Sequence, residues 1–326
     1  MTPLLLILTT LIVPNWAQKI PGMDNCKFSE SIYEDGRKWN YQDFGSWDYG
    51  CRNGKLQSPI DLPRARVIGR DLGNLTFRYY ASSPMLQRIV NTGHSIMMDV
   101  CDIGDRQPKI SGSGLNGTYV FYQMHFHWAE SNERGSEHSK SHTHFPLELQ
   151  LIHYQESWGS YDKAKNQPEG LAILAVLFQL HVERNPKLER FFPLLQNVIE
   201  PYKESILDAP IPLLNLLPSN TLGFYRYHGS LTAPPCTENV VWTVFQNPIP
   251  ILLKQMNNFR AILGPPDEND RLRISRPLGH NVRPLMKTNN RTIYSNLTPE
   301  DTASSGGELV RQSFFCVMTT LLLLGQ

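Results

Sequence analysis

The sequence predicts a single mostly β (α+β) domain with peripheral helices. Three observations predict it. First, 40% of the 326 residues are hydrophobic, 19% are charged and the formal net charge is +1. That is globular composition, and it excludes wholesale disorder. Second, 24 prolines and 22 glycines occur without a short period, so turns are frequent and elements short. Third, the apolar runs between those turns have strand length.

Residues 120–128 form the first clear strand. Residues 147–153 (LELQLIH) alternate strictly and form a second. Leu171–Leu180 carries no polar residue through Phe178, which predicts a strand buried on both faces. Val240–Phe245 is a fourth. Two stretches repeat at helical spacing: Leu188, Phe191, Phe192, Leu195, Val198 and Ile199, then Leu253, Met256, Phe259 and Leu263. No repeat or linker divides the chain between its ends.

The ends read as addresses. Residues 3–13 (PLLLILTTLIV) precede Pro14, Asn15, Trp16 and Ala17, which predicts a signal peptide over residues 1–17. Residues 18–300 are then the domain. Residues 301–326 hold small residues, a polar spacer and an apolar tail, the pattern of a glycolipid-anchor signal. The expected location is secreted or on the extracellular face of the plasma membrane, with a lipid anchor as the only membrane attachment. Sequons at Asn74, Asn116, Asn290 and Asn296 fit that route. Of five cysteines, Cys316 lies in the tail. Cys26, Cys51, Cys101 and Cys236 remain, enough for two disulfides in three possible pairings. The near-zero charge argues against a nucleic-acid partner.

The stretch Gln123-Met124-His125-Phe126-His127-Trp128 carries the chemistry. Alternate residues of a strand share a face, so Gln123, His125 and His127 point the same way. Two imidazoles so placed suit a divalent metal such as zinc. Other segments join them: Gly135-Ser136-Glu137-His138, Glu148-Leu149-Gln150, Tyr227-His228-Gly229-Ser230-Leu231-Thr232-Ala233-Pro234-Pro235-Cys236, Gln57-Ser58-Pro59 and Asn91-Thr92-Gly93-His94.

Together these segments resemble an α-class carbonic anhydrase of the secreted and membrane-anchored branch, from about residue 33 to about residue 284. The resemblance implies a large, twisted, mostly antiparallel sheet of about ten strands with the site at its centre. It implies reversible hydration of CO2 to bicarbonate and a proton by a zinc-bound hydroxide. His125 and His127 match two zinc ligands. Glu137 and Thr232 match the pair that orients the nucleophile, and His94 the proton shuttle. Gln123 and Glu148 match groups that orient ligand side chains. Ile152, Ile173, Leu231 and Trp242 match the apolar wall that holds CO2. The resemblance also pairs Cys51 with Cys236, leaving Cys26 and Cys101 by elimination.

One ligand position departs from the pattern. Where the family has a third histidine, the chain has Gln150, which leaves two imidazoles and one amide oxygen for Zn2+. His153 lies on the opposite strand face from Gln150. His144 is six residues away, about 20 Å along a strand. Neither replaces the missing ligand. Ala233, Thr92 and Met97 also replace polar residues along the water path. The expected result is reduced activity. The alternative is a catalytically inactive carbonic-anhydrase-related surface protein with a protein or glycan partner.

Overall fold

The computed structural model describes residues 28–30, 39–63, 67–101, 106–266 and 274–296. The predicted signal peptide, Cys26, Cys316 and the predicted anchor tail lie outside the described residues. Among the described residues no helix is long and apolar enough to cross a membrane.

Fifteen strands are present among the described residues. In chain order they are β1 (Asp61–Leu62), β2 (Ile68–Arg70), β3 (Leu75–Arg78), β4 (Leu86–Asn91), β5 (Ile96–Cys101), β6 (Lys109–Gly112), β7 (Tyr119–Trp128) and β8 (Ser139–Lys140). There follow β9 (Leu147–Gln155), β10 (Leu171–Leu180), β11 (Glu204–Ile206), β12 (Phe224–Gly229), β13 (Val240–Phe245), β14 (Ile249–Ile251) and β15 (Tyr294–Asn296). Thirteen form one sheet. Its main path has ten strands, ordered β11-β4-β5-β7-β9-β10-β13-β12-β15-β2. The parallel pairings in this sheet join β10 to β13, β10 to β14 and β15 to β2. The other pairings are antiparallel. The expected mostly antiparallel sheet is therefore present, and wider than ten strands once β3, β6 and β14 are added.

Period-2 alternation sorts the two sides of the sheet. Met124, Phe126 and Trp128 of β7 point into one apolar cluster with Leu147, Leu149 and Leu151 of β9 and Leu174, Val176 and Phe178 of β10. The intervening residues, Gln123, His125, His127, Glu148, Gln150 and Ile152, face the opposite side. Every residue from Leu171 to Phe178 is buried, so β10 has core on both faces. A bulge between Phe121 and Gln123 leaves Tyr122 as the extra residue of β7.

The second helical expectation matches α3 (Leu253–Arg260), which follows α1 (Tyr49–Asn53) and α2 (Tyr161–Ala164). The first is corrected. Residues 188–199 do not form an α-helix; 3₁₀ segments cover Pro186–Leu188 and Phe192–Val198. Pro193 disfavours the α conformation at Phe192 and interrupts regular hydrogen bonding. The apolar positions still point inward: Leu188, Phe191, Phe192, Leu195 and Val198 are all buried.

Cys51 and Cys236 are joined by a disulfide. It lies among Trp39, Tyr41, Trp47 and Ala233 in a small satellite cluster. Cys101 is disulfide-bonded as well, to a partner outside the described residues.

Candidate active site

The register of the central strands assembles the site. His125 stands opposite Gln150 across β7 and β9, and His127 opposite Glu148. One row further along, Gln123 stands opposite Ile152, Ile152 opposite Ile173 and Ile173 opposite Trp242. Polar and apolar halves of the site are thus consecutive positions on the same strands. Ile152, Ile173, Leu231 and Trp242 share one buried cluster, and the Trp242 indole N–H donates to the Ser230 carbonyl at 3.0 Å.

His127 is held by a backbone carbonyl. Its Nδ1–H donates to the Asn281 carbonyl at 2.7 Å, which fixes the tautomer and leaves a lone pair on Nε2. That Nε2 is fully buried, has no hydrogen-bond partner and lies 3.4 Å from Glu137 Oε2. Asn281 also closes the surrounding loops. Its Nδ2 donates to the His94 and Phe126 carbonyls, and its Oδ1 accepts from Trp128 N. Burial and the nearby His127 push the His125 imidazole well below its ordinary range, so it is neutral at physiological pH.

Gln150 sits between two carboxylates. Its amide nitrogen donates to Glu137 Oε2 at 2.8 Å and to Glu148 Oε1 at 2.9 Å. Its carbonyl oxygen faces His125 Nε2 at 3.2 Å. The reversed amide would set an oxygen against both carboxylates, so the orientation is chemically fixed. Glu137 also accepts from Arg283 N at 3.0 Å, and the neighbouring Thr232 hydroxyl favours its ionised form. Burial raises the Glu137 carboxyl despite these bonds. Burial alone would raise Glu148 too, but the facing His138 outweighs it and holds that carboxyl at about 2. His138 Nδ1 and N both lie 2.8 Å from Glu148 oxygens, and its Nε2 lies 2.6 Å from Tyr227 Oη.

These donors can be tested against zinc. Among the described residues, no three His, Cys, Asp or Glu side chains gather to hold a metal. A third donor would have to come from elsewhere, and the Gln150 oxygen is the candidate. Two ligands on one tetrahedral zinc stand about 3.3 Å apart for bonds of about 2.0–2.1 Å, and His125 Nε2 and Gln150 Oε1 are 3.2 Å apart. The unpartnered lone pair of His127 would supply the other nitrogen. The set fits the ion as two nitrogens and one neutral oxygen, a harder and weaker combination than three imidazoles.

His94 stacks on Trp39 with ring centroids 4.2 Å apart and 7° between planes. Burial lowers its pKa to about 4, below the range that suits proton exchange near neutral pH. Thr92 does not offer its hydroxyl to the water path. It is engaged within its own turn, donating to the Ser95 carbonyl and accepting from Ser95 N. Met97 is buried opposite His125. Trp39→Ala is expected to expose His94 and return its pKa toward the ordinary value near 6.5. A proton NMR titration of the His94 ring checks this, and a pKa still near 4 would place the cause elsewhere.

The sequence reading missed four contributors. Asn281 and Arg283 meet His127 and Glu137 through a backbone carbonyl and a backbone N–H, which leave no side-chain pattern to find. His138 and Tyr227 lay in the quoted segments, but their joint hydrogen bonding required the fold. His153, set aside on parity, is indeed on the opposite face. It hydrogen-bonds Tyr80 Oη and approaches the Ala172 carbonyl at 3.2 Å. His144 Nδ1 is tied to the Ser136 carbonyl at 2.8 Å.

A wide, mostly antiparallel sheet with paired histidines and a buried carboxylate on its central strands marks one class of protein. The family model described as eukaryotic-type carbonic anhydrase matches residues 36–297, and the chain belongs to that family. It is 36% identical to carbonic anhydrase 15 of Mus musculus over 251 residues, 74% of this chain and 76% of that relative. It is 35% identical to carbonic anhydrase 12 of Homo sapiens over 288 residues, 84% of this chain and 77% of that relative.

Proposed function

We propose that the chain is an extracellular carbonic anhydrase of reduced activity, hydrating CO2 reversibly to bicarbonate and a proton. The observation that carries this reading is His125 Nε2 facing Gln150 Oε1 at 3.2 Å, with the His127 ring 4.9 Å from that of His125 and its Nε2 bare. These three atoms would hold Zn2+. When bound, zinc makes a water acidic enough to supply the nucleophile near neutral pH.

The chain's own groups do the rest. Ile152, Ile173, Leu231 and Trp242 exclude water from one side and offer CO2 an apolar surface. Thr232 would donate to Glu137, whose ionised form it favours, leaving the hydroxyl oxygen to accept a hydrogen bond from the nucleophile and so orient it. Gln150 shares Glu137 with Thr232 through its 2.8 Å bond, so the substitution reaches this relay as well as the metal. His94 would carry the proton outward, slowed by its stack on Trp39. Both effects lower turnover.

A second reading has its own observation in support. Both amide protons of Gln150 and its oxygen already have partners within the protein. A site so closed by hydrogen bonds suits a carbonic-anhydrase-related surface protein that binds a protein or glycan partner. Zinc content separates the two readings. The first requires close to one zinc per chain after secretion. A content under about a tenth of an equivalent, with excess zinc supplied, would sink it. His125→Ala is expected to abolish chelator-sensitive CO2 hydration. Unchanged activity would place the chemistry outside this site.

Secretion and lipid anchoring rest on the two chain ends, which are not described. Glycosylation can be narrowed. Asn74, Asn116 and Asn290 are exposed. Asn296 is buried, its Oδ1 accepts from Leu72 N and its Nδ2 donates to the Gly73 and Leu222 carbonyls. A glycan on that nitrogen would displace these bonds. Asn296 is therefore the sequon proposed to stay unmodified. Peptide mapping of the secreted chain should find glycans only at the other three sequons, and occupancy at Asn296 would contradict the burial.

A further inference from the structure

Residues 28–30 cross the site face of the sheet, and the register shows where. Met97 pairs with His125 and Met98 with Met124, while Arg88 pairs with Asp99. Asp99 therefore shares a face with Met97 and His125 and stands beside Gln123. Ser29 lies on this row. Its backbone N–H donates to Asp99 Oδ2 at 2.8 Å, and its hydroxyl lies 2.8 Å from the same oxygen and 3.2 Å from Gln123 Oε1. Arg88 Nη2 donates to the Ser29 carbonyl at 2.8 Å.

The flanking residues are fixed too. Phe28 packs against the cluster of Leu86 and Cys101, with the Arg88 guanidinium 4.7 Å above its ring. The Glu30 carbonyl accepts from the Tyr122 hydroxyl at 3.1 Å. Tyr122 is the bulged residue of β7. Its ring stacks on Tyr161 at 4.1 Å with 1° between planes. Tyr161 belongs to the cluster that holds Ile152, Ile173, Leu231 and Trp242, and Tyr122 packs against it. One three-residue segment thus ties down Gln123 on the polar half and Tyr122 at the edge of the apolar half.

We infer that residues 28–30 form a strap that sets the size of molecule reaching the apolar wall, with Ser29 and Tyr122 as specificity-determining positioning residues. Held by the strap, the Tyr122–Tyr161 pair stays against the wall and admits a molecule the size of CO2. An aryl ester must displace the pair. The activity arm of the test rests on the proposed hydratase reading; the binding arm does not.

Ser29→Ala and Tyr122→Phe each remove one tether without creating a large cavity. In zinc-stripped full-length secreted protein, binding of anilinonaphthalene sulfonate is titrated by fluorescence. Each variant is expected to bind the dye about tenfold more tightly, the equivalent of one lost hydrogen bond. Glu30→Ala keeps the carbonyl that accepts from Tyr122 and should match wild type. With zinc restored, the ratio of kcat/KM for 4-nitrophenyl acetate to that for CO2 should rise by a similar factor of about ten. The change should appear in the ester KM, with kcat for CO2 unchanged. Dye affinity equal to wild type in both variants overturns the strap, as does a gain accompanied by loss of near-ultraviolet circular dichroism. If no protein shows hydration, the hydratase reading fails, and the dye titration still decides the strap.

Discussion

Gln150→His is expected to tighten zinc binding by on the order of 100-fold and to raise CO2 hydration with it. Three structural features motivate the expectation. Gln150 is buried opposite His125, so a ring at 150 would project into the same space. Glu148, held at about 2 by His138, stays ionised and can accept a hydrogen bond from a new imidazole N–H. Such a carboxylate fixes the tautomer and raises ligand basicity. The substitution also removes the amide proton that Gln150 gives Glu137, returning that carboxylate to Thr232. Competition with a chromophoric chelator gives the affinity, and stopped-flow hydration the rate. A large gain in affinity without a gain in rate would locate the deficit in the proton path, at His94, Thr92 and Met97. No gain in either would show that the site had decayed beyond its third ligand.

The parts of this site legible in the sequence are those that side-chain period and type control. Period-2 alternation placed Gln123, His125 and His127 together and separated Gln150 from His153. An unbroken apolar run gave the bounds of β10, since only burial on both faces tolerates ten residues with so little polarity. The helical reading of residues 188–199 failed because apolar spacing reports which residues point inward. It does not report whether prolines permit the hydrogen bonds of an α-helix. Asn281 and Arg283 were illegible for another reason. They serve His127 and Glu137 by a carbonyl and an N–H, groups every residue carries, and only the fold brings them near. The strap was equally hidden, because Ser29 acts on residues 59 to 94 positions away.

The second large expected effect is on stability. Arg88→Ala should destabilise the domain by about 3–5 kcal/mol at neutral pH, the usual cost of leaving a buried charge without its partner. Arg88 grips Asp99 with two nitrogens, Nε at 3.2 Å and Nη2 at 2.9 Å. Asp99 is fully buried, and Arg88 is largely so. The arginine also meets Glu204 on β11 at 3.0 Å, but that carboxylate is partly exposed and loses little when left alone. Burial raises the Asp99 carboxyl even with Arg88 and Ser29 opposing it. Without Arg88 it must rise further. A carboxyl whose folded pKa exceeds its unfolded value near 3.9 binds its proton more tightly in the folded state. Its penalty is therefore largest above the folded pKa and shrinks as pH falls through it. The stability gap between wild type and Arg88→Ala should accordingly narrow between pH 7 and pH 5, measured by urea unfolding at each pH. Adding Asp99→Asn should recover part of the loss at pH 7 and remove most of the pH dependence of the gap. A gap that widens in acid would mean that Arg88 stabilises the domain through Glu204 and the Ser29 carbonyl rather than through Asp99.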